Sequence, residues 1–240
     1  MTTITAIGFD ADDTLWHNET LYHTTQEKFR TLLTPYHDAE WIDRKLYETE
    51  MRNLQRFGYG IKGFTLSMIE TAIELTEGRV QAAEIQQIIG FAKEMMAAPV
   101  ELLPCVRQTL TALAGRYSLL LITKGDLFDQ ETKLTRSGLS ALFDAVEVVS
   151  EKHVDAYAAV LGKHGVQPGQ FLMVGNSVRS DILPVLALGA QAVHIPYHIT
   201  WQHEEAQPHE ATQDYYTLDS LCELNPLLEQ LASARGVQAG

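Results

Sequence analysis

Four short apolar runs in this chain each stop at a group of polar residues. The runs cover residues 4–9, 118–123, 143–149 and 171–174. Short apolar runs that are bounded by polar residues are typical of buried strands. In an open parallel sheet, ligands bind outside the carboxyl ends of the strands, where the following loops converge. The pattern therefore predicts an α/β fold whose functional site is built from the residues that follow the strands.

Two aspartates, Asp10 and Asp12, come directly after the first apolar run. Carboxylates about 4 Å apart repel each other by on the order of a few kcal/mol at an effective dielectric constant near 20, so such a pair needs a cation or a shared proton. The pair therefore indicates chemistry that depends on a hard metal ion. The alternative is an acidic turn in which Asp12 or Asp13 caps a helix.

Polar residues at the ends of the later runs, or shortly after them, complete a recognisable order of motifs. They are Thr123, Lys152 and residues 175–181, which read Gly-Asn-Ser-Val-Arg-Ser-Asp. Together with Asp-x-Asp-x-Thr at residues 10–14, this order resembles the haloacid dehalogenase-like hydrolase superfamily, and the resemblance covers nearly the whole chain. Most members of that superfamily are magnesium-dependent phosphatases. The chain departs from the commonest pattern where glycine, asparagine and proline are often found, at Asp13, Lys124 and His153.

The stretch after the first motif is longer than a crossover between parallel strands needs. Its apolar residues recur at helical spacing, which predicts helices over residues 21–33, 38–56, 63–75 and 80–96. We expect residues 17–99 to form an inserted α-helical bundle. By resemblance this bundle is a cap domain, and residues 1–16 and 100–240 form a Rossmann-like catalytic core.

After residue 100, strand-like and helix-like segments alternate. Helices are predicted at residues 129–137, 155–164 and 180–188, and a fifth strand at 190–195. Right-handed crossovers then give a three-layer α/β sandwich with a parallel sheet. The polar stretch 198–214 predicts a surface loop, and residues 218–231 predict a closing helix.

The resemblance implies a role for each acidic residue of the motifs. Asp10 is the nucleophile that forms an aspartyl-phosphate, and Asp12 is the general acid that protonates the leaving alcohol and then the base that activates water. Mg²⁺ is the expected cofactor, because it prefers oxygen ligands. Asp10 and Asp181 would supply carboxylate oxygens, and Asp12 its backbone carbonyl. Asn176 occupies the other polar metal position as a neutral amide that acts directly or through water.

A second group of residues is expected to bind the phosphoryl group. Thr123 offers a hydroxyl, and Lys152 offers a compact positive charge to Asp10 and to the phosphate. Backbone amides around Ala11, Lys124 and Gly125 complete the anion cradle. Taken alone, Thr123 could simply end a strand and Lys152 could be a solvated lysine. The Lys124 side chain contacts substrate or is exposed to solvent, and the sequence leaves both open.

The glycine-bracketed residues 58–63 resemble the cap loop that selects the leaving group in related enzymes. Tyr59 and Lys62 are the candidate substrate-binding residues there, and the alternative is a flexible turn with Lys62 in water.

These residues favour a Mg²⁺-dependent phosphatase that hydrolyses a small-molecule phosphate monoester. A 2-haloacid dehalogenase shares the fold and the nucleophile but needs neither Mg²⁺ nor the acids Asp12 and Asp181. A phosphonate hydrolase or phosphomutase of the same superfamily is a further alternative, the former with Lys28 or Lys62 as the imine-forming amine. A non-catalytic binding module on the same fold is the alternative from a different class.

Net charge and the lengths of the apolar runs indicate which classes of partner and which cellular location to expect. A net charge of −13 argues against a nucleic-acid partner, because phosphate backbones bind basic surfaces. No apolar run approaches the length of a bilayer span, and no secretory signal precedes the first strand, so no membrane partner and a cytoplasmic location are expected. Cys105 and Cys222 lack metal-type spacing, and we expect Cys105 to pack as a small apolar residue. A structural disulfide is the less favoured alternative.

Overall fold

One parallel sheet organises the larger part of the fold. The computed structural model describes the backbone of residues 3–204 and 214–236, and side chains as far as residue 233. Within these residues six parallel strands lie in the order β3-β2-β1-β4-β5-β6. Their bounds are Ala6–Phe9 (β1), Ser118–Lys124 (β2), Ala145–Val149 (β3), Phe171–Gly175 (β4), Gln191–His194 (β5) and Tyr216–Thr217 (β6).

The register of the central strands aligns the three strand ends that carry the motifs. Phe9, the last residue of β1, pairs with Leu121 of β2 and with Val174 of β4. Because the strands are parallel, the loops after β1, β2 and β4 start at the same edge of the sheet.

A helical unit comprises Thr20–Pro99 together with Gly125–Thr132. Amphipathic segments form its helices, and their apolar stripes meet in one core that includes the fully buried Phe29, Met68 and Ile88. Asp38 begins the second of these helices by accepting a hydrogen bond from the backbone N–H of Trp41 at 2.8 Å. The helices are Glu19–Leu33 (α1), Ala39–Phe57 (α2), Ile61–Leu75 (α3) and Ala82–Ala97 (α4).

The other compact unit contains the sheet and takes the residues up to Glu19, Val100–Lys124 and the described residues from Lys133 onward. Alternate residues of the strands point to two separate cores, one containing Ile7 and the other Ala6. This layering confirms the predicted Rossmann-like three-layer α/β sandwich. The remaining helices are Val106–Leu113 (α5), Leu127–Ser137 (α6), Val154–Lys163 (α7), Leu183–Ala187 (α8) and Leu224–Gly236 (α9).

The C-terminal third differs in detail from the sequence-based prediction. The sixth strand, β6, was not predicted, because two residues are too few to show a period of two. The closing helix α9 begins at Leu224 instead of residue 218, after a 3-10 turn over Leu221–Glu223. Of the predicted loop 198–214, residues 202–204 form a 3-10 turn, and residues 205–213 lie outside the described part.

Cys105 and Cys222 form a disulfide, so the expectation that Cys105 packs merely as a small apolar residue is wrong, and the less favoured alternative is correct. The two residues are 117 positions apart, and they meet because Cys105 precedes α5 while Cys222 lies in the turn before α9. No spacing rule could reveal a pair that only the tertiary fold brings together. In the described residues, no helix combines the length and apolar character that a bilayer span requires.

Candidate active site

Three buried charges meet at the ends of the strands. Asp10 follows β1, and its Oδ1 accepts a hydrogen bond from the Nζ of Lys152. The same Nζ lies 2.7 Å from Oδ1 of Asp181. All three residues are at most 7% exposed. One ammonium therefore lies between two carboxylates, and the formal charge of the group is negative.

The surroundings of these charges shift their pKa values. Burial raises the pKa of Asp10 to about 7, and attraction by Lys152 limits this rise while repulsion by Asp181 adds to it. Burial alone would lower the pKa of Lys152, but the carboxylates of Asp10 and Asp181 hold that pKa well above its usual range. Lys152 is therefore a permanent cation, and Asp10 would need further positive charge to stay fully ionised at neutral pH.

Oxygen atoms gather around the second carboxylate oxygen of Asp10. Thr14 Oγ1 donates to Asp10 Oδ2 at 3.1 Å. With its nitrogen directed inward, the Asn176 side chain donates to Thr14 Oγ1 at 3.0 Å, to Asp10 Oδ2 at 3.2 Å and to the Asp12 carbonyl at 3.2 Å. If the amide turns over, its oxygen joins those of Asp10 and Asp12, which is the donor set that Mg²⁺ prefers. These residues fit a magnesium ion, although the described residues contain no cluster of three His, Cys, Asp or Glu side chains.

Asp181, the other expected metal ligand, is engaged by protein donors on both oxygens. Its Oδ1 binds Lys152, and its Oδ2 accepts from the backbone N–H of Ser177 at 3.0 Å. Gly175 makes this position possible, because a Cβ there would lie 2.2 Å from Asp181 Oδ2. Asp181 thus lies against Lys152 and the Ser177 amide, and Asn176 lies nearest the group of oxygen atoms.

Trp16 and Lys133 both donate to the carboxylate of Asp12. Trp16 Nε1 donates to its Oδ1 at 2.7 Å, and Lys133 Nζ lies 2.7 Å from Oδ1 and 2.9 Å from Oδ2. Lys133 lies on α6 and was not identified from the sequence, where it is one lysine on the polar face of an ordinary helix.

Asp13 has a structural task. Its backbone adopts the left-handed conformation with φ 62°. Glycine adopts this conformation most readily, and aspartate tolerates it better than most other residues. Its carboxylate accepts hydrogen bonds from the backbone N–H groups of Asn18 and Glu19, at the start of α1. Burial raises the pKa of Asp13 to about 8. The helix-cap alternative is therefore correct for Asp13.

Lys124 at the end of β2 is neither a solvated lysine nor an uncompensated cation. Its Nζ contacts the carboxylate of Glu204 and lies 3.3 Å from Glu151 Oε1 and 3.0 Å from Ser180 Oγ. Burial alone would raise the pKa of Glu204, but the charge of Lys124 and hydrogen bonds from Lys124, Ser177 and Ser180 lower it to about 2. The sequence did not single out Glu204, because it lies in an irregular polar stretch.

The remaining phosphate-binding candidates lie at the starts of loops. Thr123 is buried at the end of β2 and directs its hydroxyl to the Lys124 carbonyl at 3.3 Å. The carbonyl of Ala11 accepts from the N–H of Leu15 at 2.8 Å, which closes the turn after Asp10. Gly125 has φ 130°, a conformation that other residues rarely adopt, and it belongs to the helical unit.

The two cap-loop candidates lie in the helical unit, in and just after the turn between α2 and α3. Lys62 is on the first turn of α3, and its Nζ lies 2.9 Å from Asp126 Oδ1 and 5.6 Å from the centre of the Phe128 ring. Tyr59 is half-buried in the turn itself. Lys62 is therefore paired with Asp126, and its side chain is 54% exposed.

Comparisons with known proteins identify the family of this chain. A family model for haloacid dehalogenase-like hydrolases matches residues 4–189. The crystal structure of a haloacid dehalogenase-like family hydrolase from Xanthomonas campestris is 42% identical, with a TM-score of 0.86, and the match covers 98% of this chain and 95% of that one. N-acylneuraminate-9-phosphatase from Mus musculus is 26% identical over 95% of both chains. A 5-amino-6-(5-phospho-D-ribitylamino)uracil phosphatase from Escherichia coli is 25% identical over 80% of this chain and 83% of its own. The motif order predicted this result, and the chain belongs to the haloacid dehalogenase-like hydrolase family.

Proposed function

We propose that this protein is a Mg²⁺-dependent phosphatase that hydrolyses a small-molecule phosphate monoester through an aspartyl-phosphate. The observation that carries the proposal is the buried Asp10, with one carboxylate oxygen on Lys152 and the other in a group of oxygen atoms. A carboxylate nucleophile divides one difficult hydrolysis into two easier steps.

In this proposal Asp10 attacks the phosphorus, and the cation of Lys152 offsets the negative charge that both reactants bring. The Thr123 hydroxyl and the backbone N–H groups near Ala11, Lys124 and Gly125 bind the phosphoryl oxygens. Asp12 protonates the leaving alcohol and then removes a proton from the attacking water.

Asp10, the carbonyl of Asp12 and the Asn176 side chain are the residues that would hold the metal. When bound there, Mg²⁺ would supply positive charge to the phosphoryl oxygens and to Asp10. Asp181 does not bind the metal directly in this scheme. Its carboxylate holds Lys152 and accepts a hydrogen bond from the Ser177 backbone N–H. Asn176 makes the donor set less negative than a second carboxylate would.

The helical unit is proposed to serve as the cap domain, with Tyr59 and Lys62 as the residues that select the leaving group. In the structure Lys62 is paired with Asp126. To bind a substrate anion, Lys62 would have to exchange Asp126 for that anion. A cytoplasmic location stays a prediction of the sequence.

The relatives support a phosphate ester as the substrate class, since those from mouse and from Escherichia coli are both named as phosphatases. Two observations weigh against the alternatives. Dehalogenation needs no acid at the position of Asp12, yet Trp16 and Lys133 hold that side chain in place. Imine formation needs a neutral amine, whereas Lys28 and Lys62 both lie in ion pairs.

The test is hydrolysis of p-nitrophenyl phosphate with Mg²⁺ and with excess EDTA, followed by a screen of sugar phosphates, nucleotides and phosphoglycolate. We expect turnover that EDTA abolishes, and Asp10→Asn should remove it while the protein stays folded. Activity that persists in EDTA would refute the metal assignment. Release of chloride from 2-chloropropionate with no release of phosphate would support the dehalogenase instead.

A further inference from the structure

Lys133 reaches from α6 to the side chain proposed to be the general acid. Its Nζ lies within 2.9 Å of both carboxylate oxygens of Asp12 and 3.3 Å from Asn18 Oδ1. The side chains of Lys133 and Asp12 are 15% and 23% exposed, so this ion pair is largely shielded from water. A pair in such surroundings is screened less by salt than a surface pair.

Trp16 supplies a fixed second contact to the same carboxylate. Its indole is 1% exposed in the core of the sheet unit, and its backbone bridges to both Asp12 and Leu102. A buried ring of this size has one available position, so the Nε1–H points in a constant direction. Asp12 Oδ1 is thus fixed by Trp16 and Lys133 together, and Lys133 also fixes Oδ2.

A carboxylate that transfers protons must be directed at its target. The torsion at the end of an aspartate side chain is broad, so contacts with other groups must set the direction of the two oxygens. An error of about 1 Å in such a group can cost about a hundredfold in rate.

We propose that Lys133 is a positioning residue for Asp12, which together with Trp16 directs the carboxylate during proton transfer to and from the leaving oxygen. Lys133 acts in this scheme only through its contact with the Asp12 carboxylate. The inference rests on the proposed phosphatase function and adds to it a residue outside the four motifs.

The kinetic test compares Lys133→Met with Lys133→Arg and with Lys163→Met. Lys163 is the matched control, since it is an exposed helical lysine of the same unit that is paired with Glu147. The readout is kcat/KM for an alkyl phosphate and for p-nitrophenyl phosphate, because this parameter includes the step in which the alcohol leaves. The nitrophenolate leaves readily without a proton, whereas the alkoxide does not.

We expect Lys133→Met to lower kcat/KM for the alkyl ester by about tenfold or more, a part of the hundredfold or greater effect of general acid catalysis. The aryl ester should lose much less, Lys133→Arg should recover most of the rate, and Lys163→Met should match the wild type. Equal losses on both esters would contradict the positioning role.

A second measurement needs no turnover. The Trp16 indole N–H resonance reports on Asp12, and Trp16→Phe assigns it among the three tryptophans of the chain. In Lys133→Met this resonance should shift or broaden, while those of Trp41 and Trp201 stay in place and Lys163→Met changes none. An unchanged Trp16 resonance would overturn the inference. If the wild type hydrolyses neither ester, the proposed function fails, and the resonance alone decides whether Lys133 holds Asp12.

Discussion

Reduction of the disulfide between Cys105 and Cys222 should destabilise the sheet unit by several kcal/mol. The bond joins residues 117 positions apart, and both lie in the sheet unit. In the chain-entropy model, a cross-link that closes a loop of this length restricts the unfolded chain by about 4.9 kcal/mol at 25 °C. Measured values for native disulfides fall at about 2–5 kcal/mol, so we expect a loss within that range.

The assay is urea denaturation of the oxidised and the reduced protein, after a thiol titration under denaturing conditions. Because the chain has two cysteines, a reductant changes no other covalent bond. The fluorescence of Trp41, which lies in the helical unit, serves as an internal control if the two units unfold separately. Two reactive thiols in the untreated protein, or equal midpoints with and without reductant, would refute this reasoning.

Three substitutions test other parts of the site. Gly175→Ala places a Cβ 2.2 Å from Asp181 Oδ2. Denaturation should show that the free energy of unfolding falls by about 1–3 kcal/mol, and kcat/KM should fall as well. A variant with wild-type stability and rate would contradict the packing argument. Asn176→Asp adds a second carboxylate to the proposed metal donors, so it should lower the Mg²⁺ concentration for half-maximal activity, and an unchanged titration would remove Asn176 from the donor set. Glu204→Gln tests the ion pair with Lys124. Folding lowers the pKa of Glu204 from 4.5 to about 2, so the charged carboxylate stabilises the fold above about pH 4.5. This stabilisation disappears as the pH falls towards 2. The stability difference between wild type and Glu204→Gln should therefore be largest near neutral pH and shrink at low pH, and a difference independent of pH would refute it.

The sequence was sufficient for those site residues that follow apolar strands. Asp10, Thr123 and the loop after β4 could be located because buried strands leave unmistakable apolar runs, and parallel strands bring their ends to one edge. Lys152 was found by its place in the motif order, although its strand β3 is only partly buried. The fold class followed from the same runs.

Residues whose partners are distant in sequence were missed. Lys133 is 121 positions from Asp12, and Glu204 is 80 positions from Lys124, so no local pattern marks either contact. The same is true of Cys105 and its disulfide partner. The resemblance gave Asp181 and Asn176 as metal positions, but it could not show that Lys152 and the Ser177 amide already engage Asp181.

The central position of β1 has a consequence for how the protein folds during synthesis. Ala6 pairs with Ser118 on one side and with Phe171 on the other, so β1 needs two partner strands that are synthesised more than a hundred residues after it. Residues 20–99 between them have a core of their own and can collapse before those partners leave the ribosome. Asp10 therefore acquires Lys152 and Asp181 as neighbours only after the residues between them have been made.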